Sequence, residues 1–266
     1  MTIQSSVAPP IVFGVRASRL VERNVMVYRR TWLVLVSGFV EPLFYLLSLG
    51  FGLGAMIGDV SGPDGQTIPY AVFVAPGLLA TSAMNGAIYD STFNVFFKLR
   101  YAKTYDAVLS TPLGVAHLAT GEVTWALIRG TLYATGFLVV AVLLGLTRSP
   151  LAIFTIPAAL LIGFAFAAVG MAATTWIRTW QDFDFITLAT MPLFLFSAVF
   201  YPITVYPPTL QLVVSMTPLY QGVTILRQLM TGAVQPSIVL SVAYLAIMGL
   251  VGLVVVSRRL DRLLLK

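Results

Sequence analysis

Lys98-Leu99-Arg100-Tyr101-Ala102-Lys103-Thr104-Tyr105-Asp106 runs on through Ser110-Thr111-Pro112-Leu113 to Gly121-Glu122, and from it the rest of the chain can be read. It stands between two long apolar runs, residues 70–97 and 122–146. It is too polar for hydrocarbon, where a Lys, Arg or Asp at the centre of a span costs about 2.5–3.5 kcal/mol. It is also too well patterned for a bare connector. Thr111-Pro112 stops a short helix, because proline disfavours helical geometry in the residue before it. Residues 98–121 therefore read as a structured polar loop joining two membrane spans.

Composition supports that frame along the whole chain. Of the 266 residues 58% are hydrophobic and only 10% charged, and the mean hydropathy is +0.92. A soluble domain carries about a quarter charged residues, so too little polar surface exists to face water. The reading is an all-α polytopic membrane protein forming a single transmembrane domain over 1–266. With no cysteine, disulfides, thiolate metal sites and a Cys nucleophile are excluded. His117 is the one histidine; it sits in the polar loop and is expected to be solvated. No cleavable signal peptide is expected, because the first long apolar run begins only after Arg30.

Taken in order, residues 1–14 form a loose tail. Over 15–30 a helical reading places Arg16, Arg19, Arg23 and Arg30 on one stripe and Ala17, Val21, Val25 and Tyr28 on another. A basic amphipathic helix of this kind belongs at an anionic membrane surface. The first span, 31–57, contains Glu41-Pro42 and then Gly50-Phe51-Gly52-Leu53-Gly54. Pro42 removes a backbone donor, which puts Glu41 at a break facing protein or water; Gly50 and Gly54 share a face and allow close helix contact. Residues 59–69 form a turn-rich loop. The second span, 70–97, carries Asn85, Asp90 and Asn94, and Asn85, Tyr89 and Phe96 fall along one face that is more polar than lipid contact allows.

The third span, 122–146, begins at Glu122 and holds Arg129 two turns inside. Glu122 and Arg129 lie on one face but about 10 Å apart in rise. Asp90 falls at a similar depth on the preceding span, which makes Asp90–Arg129 the expected intramembrane ion pair. After a tight turn at 147–150, the fourth span, 151–177, presents Gly163, Ala167 and Gly170 as a small-residue seam. A short amphipathic loop, 178–184, precedes the fifth span, 185–200. Residues 204–232 are apolar but interrupted by Pro207-Pro208 and Thr217-Pro218. The sixth span is 238–257.

Charge parity decides how 204–232 is treated. With six spans the amino-terminal segment, the 98–121 loop, the 178–184 loop and the carboxy-terminal tail share one side. All of the 16 Lys and Arg except Arg129, Arg148 and Arg227 then lie on that side, as the positive-inside rule requires. A seventh span would export the basic tail. Segment 204–232 therefore reads as an external re-entrant or interfacial helical piece, whose irregular backbone must be covered by protein or water. The net charge of +6 is absorbed by topology, which removes nucleic acid as a partner.

No G-x-x-x-x-G-K-[ST] loop is present, so the chain has no phosphate cradle of that type for ATP. One histidine rules out paired-His metal sites, and Ser197 has no histidine base at its depth. Neither a catalytic nor a metal site is expected. Glu41 and Asp90, with Glu122 at the boundary, could carry protons in an ion-coupled secondary transporter. Structural pairing with Arg129, with helix termini or with a partner subunit suits them slightly better. A non-transporting scaffold is the third reading.

Several strings together resemble a known family. They are Glu41-Pro42-Leu43-Phe44-Tyr45-Leu46 with Gly50-Phe51-Gly52-Leu53-Gly54, Tyr70-Ala71 with Ala75-Pro76-Gly77, and Lys103-Thr104-Tyr105-Asp106-Ala107 with Ser110-Thr111-Pro112-Leu113. Gly121-Glu122, Pro192-Leu193-Phe194-Leu195-Phe196-Ser197, Phe200-Tyr201-Pro202, Pro218-Leu219 and Leu226-Arg227 continue the order. The pattern resembles the ABC type-2 exporter permeases, in the branch of the NodJ-type lipo-oligosaccharide and daunorubicin-type drug exporters. Departures fall at Asp90, where that branch often has Glu, at Ala198, where many relatives have Gly, and at Tyr220-Gln221-Gly222.

The resemblance implies two six-span subunits, identical or not, resting on two separate ATPase subunits. ATP and Mg would be bound on those partners, and no cofactor on this chain. The loop between spans 2 and 3 would be a coupling helix, with Tyr101, Lys103, Thr104, Tyr105, Asp106, Thr111 and Pro112 docking on the ATPase. Arg16, Arg19 and Arg23 would lie on an interfacial helix beside it. Glu41, Asn85, Tyr89, Asp90, Glu122 and Arg129 would form the intramembrane polar path. The expected location is the inner membrane, with both termini cytoplasmic.

Overall fold

The computed structural model of the chain describes residues 20–26, 29, 40–63, 65–111 and 113–264. Arg16, Arg19, Pro112 and the beginning of the first predicted span lie outside the described residues, as does the side chain of Asp106. Residues 20–26 are helical. Helix α1 spans Val40–Ile57 and widens into π turns over Leu46–Leu53. A small antiparallel hairpin follows, β1 Asp59–Ser61 and β2 Thr67–Pro69, with Val60 opposite Ile68. The turn-rich loop expected at 59–69 takes the form of this hairpin. Gly58 and Gly65 supply its left-handed positions, at φ 75° and 79°.

Helix α2 runs over Tyr70–Tyr101, four residues beyond the predicted end, with π turns at Asp90–Asn94 and Phe97–Tyr101. Then come α3 Thr104–Leu109, α4 Val115–Leu143, α5 Pro150–Thr174, α6 Phe183–Phe196, α7 Pro208–Ser215, α8 Pro218–Thr231 and α9 Ile238–Leu264. Among the described residues, five helices are long and apolar enough to cross a membrane: α1, α2, α4, α5 and α9. The fifth predicted span is α6, whose 14 residues reach about 21 Å at 1.5 Å per residue. That is short of the ~30 Å hydrocarbon core. It stops at Ser197 because the chain turns left-handed at Ala198, φ 54°.

Helix α5 is the hub, packing on α9, α2, α4 and α8. Its small residues make this possible, since lipid-embedded helices associate through close packing rather than hydrophobic exclusion. A Cβ on Gly170 would strike Ser91 of α2, and one on Gly163 would touch Leu127 of α4, so the predicted seam serves two neighbours. Gly50 and Gly54 of α1 likewise lie against Ala71 and Tyr70.

The two ends of the bundle differ. At one end Leu20, Val95, Tyr105, Leu118, Val123, Met171, Val256 and Leu260 form a single cluster, gathering residues 20–26, α3 and the ends of α2, α4, α5 and α9. At the other end the β1–β2 hairpin, the α4–α5 turn and α8 meet. There the Arg148 amide donates to the Met230 carbonyl at 2.9 Å, and Gln235 Nε2 to the Pro63 carbonyl at 3.2 Å. The polar loop and the carboxy-terminal end of α9 thus share one end, and segment 203–231 lies at the opposite one.

Candidate functional site

α2 and α4 are antiparallel neighbours joined by the polar loop, so groups counted inward from the loop on each helix meet at equal depth. Two ion pairs result. At the loop end, Lys98 Nζ donates to both oxygens of Glu122, at 2.8 and 2.6 Å. About two turns deeper, Arg129 Nη1 donates to Asp90 Oδ1 at 2.6 Å, as the sequence predicts. Asn94 Nδ2 also donates to that oxygen, at 2.8 Å, and Arg129 Nη2 donates to Tyr133 Oη at 2.9 Å.

Asp90 and Arg129 are both buried, each side chain 7% exposed. Each charge alone would cost about 2.5–3.5 kcal/mol to insert; together they present no net charge. Glu122 closes the lower rung with Lys98. The Asp90–Asn94 π turn meets α5 at the same level, where Thr174 Oγ1 donates to the Ser91 carbonyl at 3.0 Å. Such widened turns are frequent at functional sites.

Around the loop the predicted docking residues separate. Tyr101, Lys103 and Thr111 are exposed, Thr104 is half-buried, and Lys103 starts α3 from a left-handed φ of 46°. Tyr105 corrects the expectation of a surface contact, since its side chain is fully buried among Leu20, Leu118, Val123 and Val256. A phenol on a six-residue helix offers more apolar area than any neighbour, so it turns inward and anchors the helix. Burial, then the adjacent Glu122 charge, pushes its hydroxyl well above the usual tyrosine range. Arg23, half-buried on residues 20–26, is near enough to oppose that shift.

His117 is also not solvated. It is buried, and its Nδ1 accepts from the Gly114 amide at 3.2 Å, capping α4. The 178–184 loop is held against this end by stacked and edge-on contacts among Phe93, Phe96, Tyr101, Trp180 and Phe183. Within it Asp182 accepts from the Arg178 and Thr179 amides at 2.7 and 3.1 Å, bonds that hold its carboxyl below the usual carboxylate range.

Above the ladder a cleft of about 640 Å³ opens between α1, α2, α4 and α6. Glu41, Pro42 and Tyr45 face it from α1, and Thr81, Ser82, Asn85 and Tyr89 from α2. Arg129 and Tyr133 join from α4, with Thr190, Met191 and Phe194 from α6. Tyr45 and Phe194 meet edge-on across it, centroids 6.1 Å apart. Four of the predicted path residues, Glu41, Asn85, Tyr89 and Arg129, therefore share one cavity. Asp90 stands behind it through Arg129, and Glu122 lies outside it. The helix is continuous from Val40 and widens only from Leu46, so among the described residues the irregularity lies after Glu41-Pro42. The lining is amphipathic, with rings, hydroxyls, an amide and one carboxylate. Among the described residues no three His, Asp or Glu lie close enough to hold a metal.

Arg227 is the functional-looking residue that sequence reasoning passed over. It sits on α8 and is 7% exposed. Nε donates to the Phe73 carbonyl at 3.2 Å, and Nη2 to those of Ala198 and Val199 at 2.8 and 3.3 Å. The guanidinium carbon lies 3.8 Å from the centroid of the Phe73 ring. Gly77 makes the junction possible, because a Cβ there would come within 3.1 Å of the Val199 backbone. The available signal was an arginine on the apolar face of α8, between Val223 and Met230, which are both buried.

Comparison with known proteins agrees with this architecture. Residues 17–231 match the family described as "ABC-2 type transporter". The chain is 30% identical over 246 residues to Nodulation protein J of Rhizobium leguminosarum bv. viciae, covering 92% of this chain and 93% of that protein. It is 32% identical over 213 residues to Nodulation protein J of Rhizobium meliloti, 79% of each. It is 25% identical over 185 residues to the inner membrane transport permease YadH of Escherichia coli, 68% of this chain and 69% of that protein. The chain belongs to the ABC-2 type transporter family, and as such it is a transmembrane transport permease rather than an enzyme.

Proposed function

We propose that this permease is the membrane-spanning subunit of an ATP-driven exporter for a lipid-linked, glycolipid or amphipathic drug-like cargo. ATP, with Mg, is hydrolysed on two separate ATPase subunits that meet a pair of permeases, homodimeric or heterodimeric. The observation that carries this reading is the continuity from α3 to the cleft. Tyr105 roots α3 beside Glu122; Glu122 holds Lys98; one rung deeper, Asp90 holds Arg129, and Arg129 lines the cleft. A push on α3 is thereby delivered to α2 and α4 together.

The exposed residues Tyr101, Lys103 and Thr111, with Thr104, Asp106 and Pro112, make the ATPase contact, while Arg16, Arg19 and Arg23 hold the amino-terminal helix on the lipid surface. Six spans are supported by the charge parity, with α6 and the turn after it completing the fifth. The shared location of residues 20–26, α3 and the α9 end agrees. Segment 204–232 is then the outer re-entrant piece, and both termini are cytoplasmic at the inner membrane. Asp90 is engaged by Arg129 and Asn94, which disfavours the ion-coupled alternative built on Glu41 and Asp90. Inverted vesicles containing the permease and its co-purifying ATPase should accumulate cargo with Mg and ATP, and an uncoupler should not stop them. Accumulation without ATP that collapses with the uncoupler would support the alternative.

A further inference from the structure

The cleft is chemically asymmetric, and its asymmetry identifies a class of ligand. Two groups of formal charge line it, Glu41 from α1 and Arg129 from α4. The Arg129 charge is answered by Asp90 at 2.6 Å, just behind the wall. Glu41 is exposed and makes no ion pair with any described residue. Among the described residues the cleft therefore carries one negative charge without an ion-pair partner, in walls that beyond Arg129 are made of rings, methyl groups and neutral polar groups.

Tyr45 lies one turn from Glu41 and meets Phe194 edge-on, and Tyr89 is more than half exposed on α2. A carboxylate that shares a cleft with these aromatic rings suits an organic cation. The ring quadrupoles attract a diffuse positive charge that sheds its water readily, and the apolar walls accept its hydrocarbon body. A small metal ion would find one carboxylate and no cage. An anion would meet Glu41, with Arg129 already taken.

We infer that the Glu41 end of the cleft, walled by Tyr45, Tyr89 and Phe194, is a binding site for amphipathic organic cations, such as protonated lipophilic amines. This rests on the proposed reading of the cleft as the cargo path, and narrows it. The test is equilibrium binding of radiolabelled tetraphenylphosphonium to the purified full-length permease in nanodiscs, with empty nanodiscs subtracted. Neutral triphenylphosphine oxide is the uncharged comparison.

Saturable binding of the cation at least tenfold tighter than of the oxide is expected. Glu41→Gln should lose about tenfold for the cation and nothing for the oxide, Glu41→Asp should keep most of the affinity, and Tyr45→Leu should lose several-fold. Equal affinity for both probes in the unmodified protein overturns the inference, and that comparison needs no variant to fold. So does unchanged cation binding in Glu41→Gln. Absent or charge-blind binding in a protein that still performs ATP-driven transport refutes the cation site alone. Cation binding that responds to Glu41 in a protein whose transport ignores ATP refutes the exporter reading and leaves the site standing.

Discussion

Arg129 and Arg227 are both buried, and the protein answers their charges in opposite ways. Arg129 faces a carboxylate, Asp90, across the α2–α4 interface. Arg227 has no carboxylate partner among the described residues; its fork is spread over backbone carbonyls of α2 and of the turn after α6, with the Phe73 ring beneath it. An ion pair between two helices leaves each helix its own backbone hydrogen bonds, so it can loosen and reform as the helices shift. A guanidinium shared among fixed carbonyls holds α8, α2 and the end of α6 as one body. From this difference, movement is expected at the ladder beneath the cleft and rigidity at the opposite end.

The largest effect should come from breaking the clamp. Arg227→Leu strips several buried carbonyls of a charged donor, and each such bond contributes about 1.5–3 kcal/mol. A loss of about 3–6 kcal/mol is expected in chemical unfolding of the detergent-solubilised protein. Arg227→Lys should recover less than half, because an ammonium lacks the planar fork.

The Asp90–Arg129 pair should show rescue where Arg227 does not. Asp90→Leu and Arg129→Leu should each cost about 3–5 kcal/mol by leaving one buried charge without its counter-charge. The double variant should regain most of that loss, with a coupling energy of about 2 kcal/mol or more in the cycle. Additive losses would mean the two residues do not act as a pair. Arg227 should show no comparable rescue with any acidic residue.

The smallest effect is a gain. Ala198 holds φ 54° while presenting its carbonyl to Arg227 at 2.8 Å. Left-handed geometry costs a Cβ-bearing residue roughly 1–2 kcal/mol. Ala198→Gly should therefore raise stability by up to about 1 kcal/mol, after the entropy glycine loses on folding. A measurable destabilisation would show that the methyl packing at this fully buried position matters more than the backbone.

How much of this was legible in the sequence follows the same division. Asp90–Arg129 could be foreseen because a short loop between antiparallel spans fixes depth on both sides, so counting residues inward suffices. The convergence of Glu41, Asn85 and Tyr89 was legible as polarity on helix faces that lipid would not tolerate. Tyr105 was misplaced because polarity sorting treats a tyrosine in a charged loop as surface, whereas its ring is the largest apolar body α3 can bury. His117 was misplaced similarly, its capping role being set by the Gly114 turn rather than by its charge. Arg227 could not be paired at all: its partners are main-chain oxygens, which every stretch of sequence supplies equally. The end of α6 was blurred for the same reason, since a backbone turn at Ala198 and not a change in hydropathy stops the helix.

The proposed coupling requires a separate ATPase to push on the exposed side of the α2–α4 loop. The most direct measurement is site-specific photo-crosslinking in native membranes, with the reactive side chain placed in turn at Tyr101, Lys103 and Tyr105. Adducts with a protein carrying a phosphate-binding loop motif are expected from Tyr101 and Lys103, and none from the buried Tyr105. Absence of any ATPase adduct at the two exposed positions, in membranes where the permease transports, would contradict the proposed coupling.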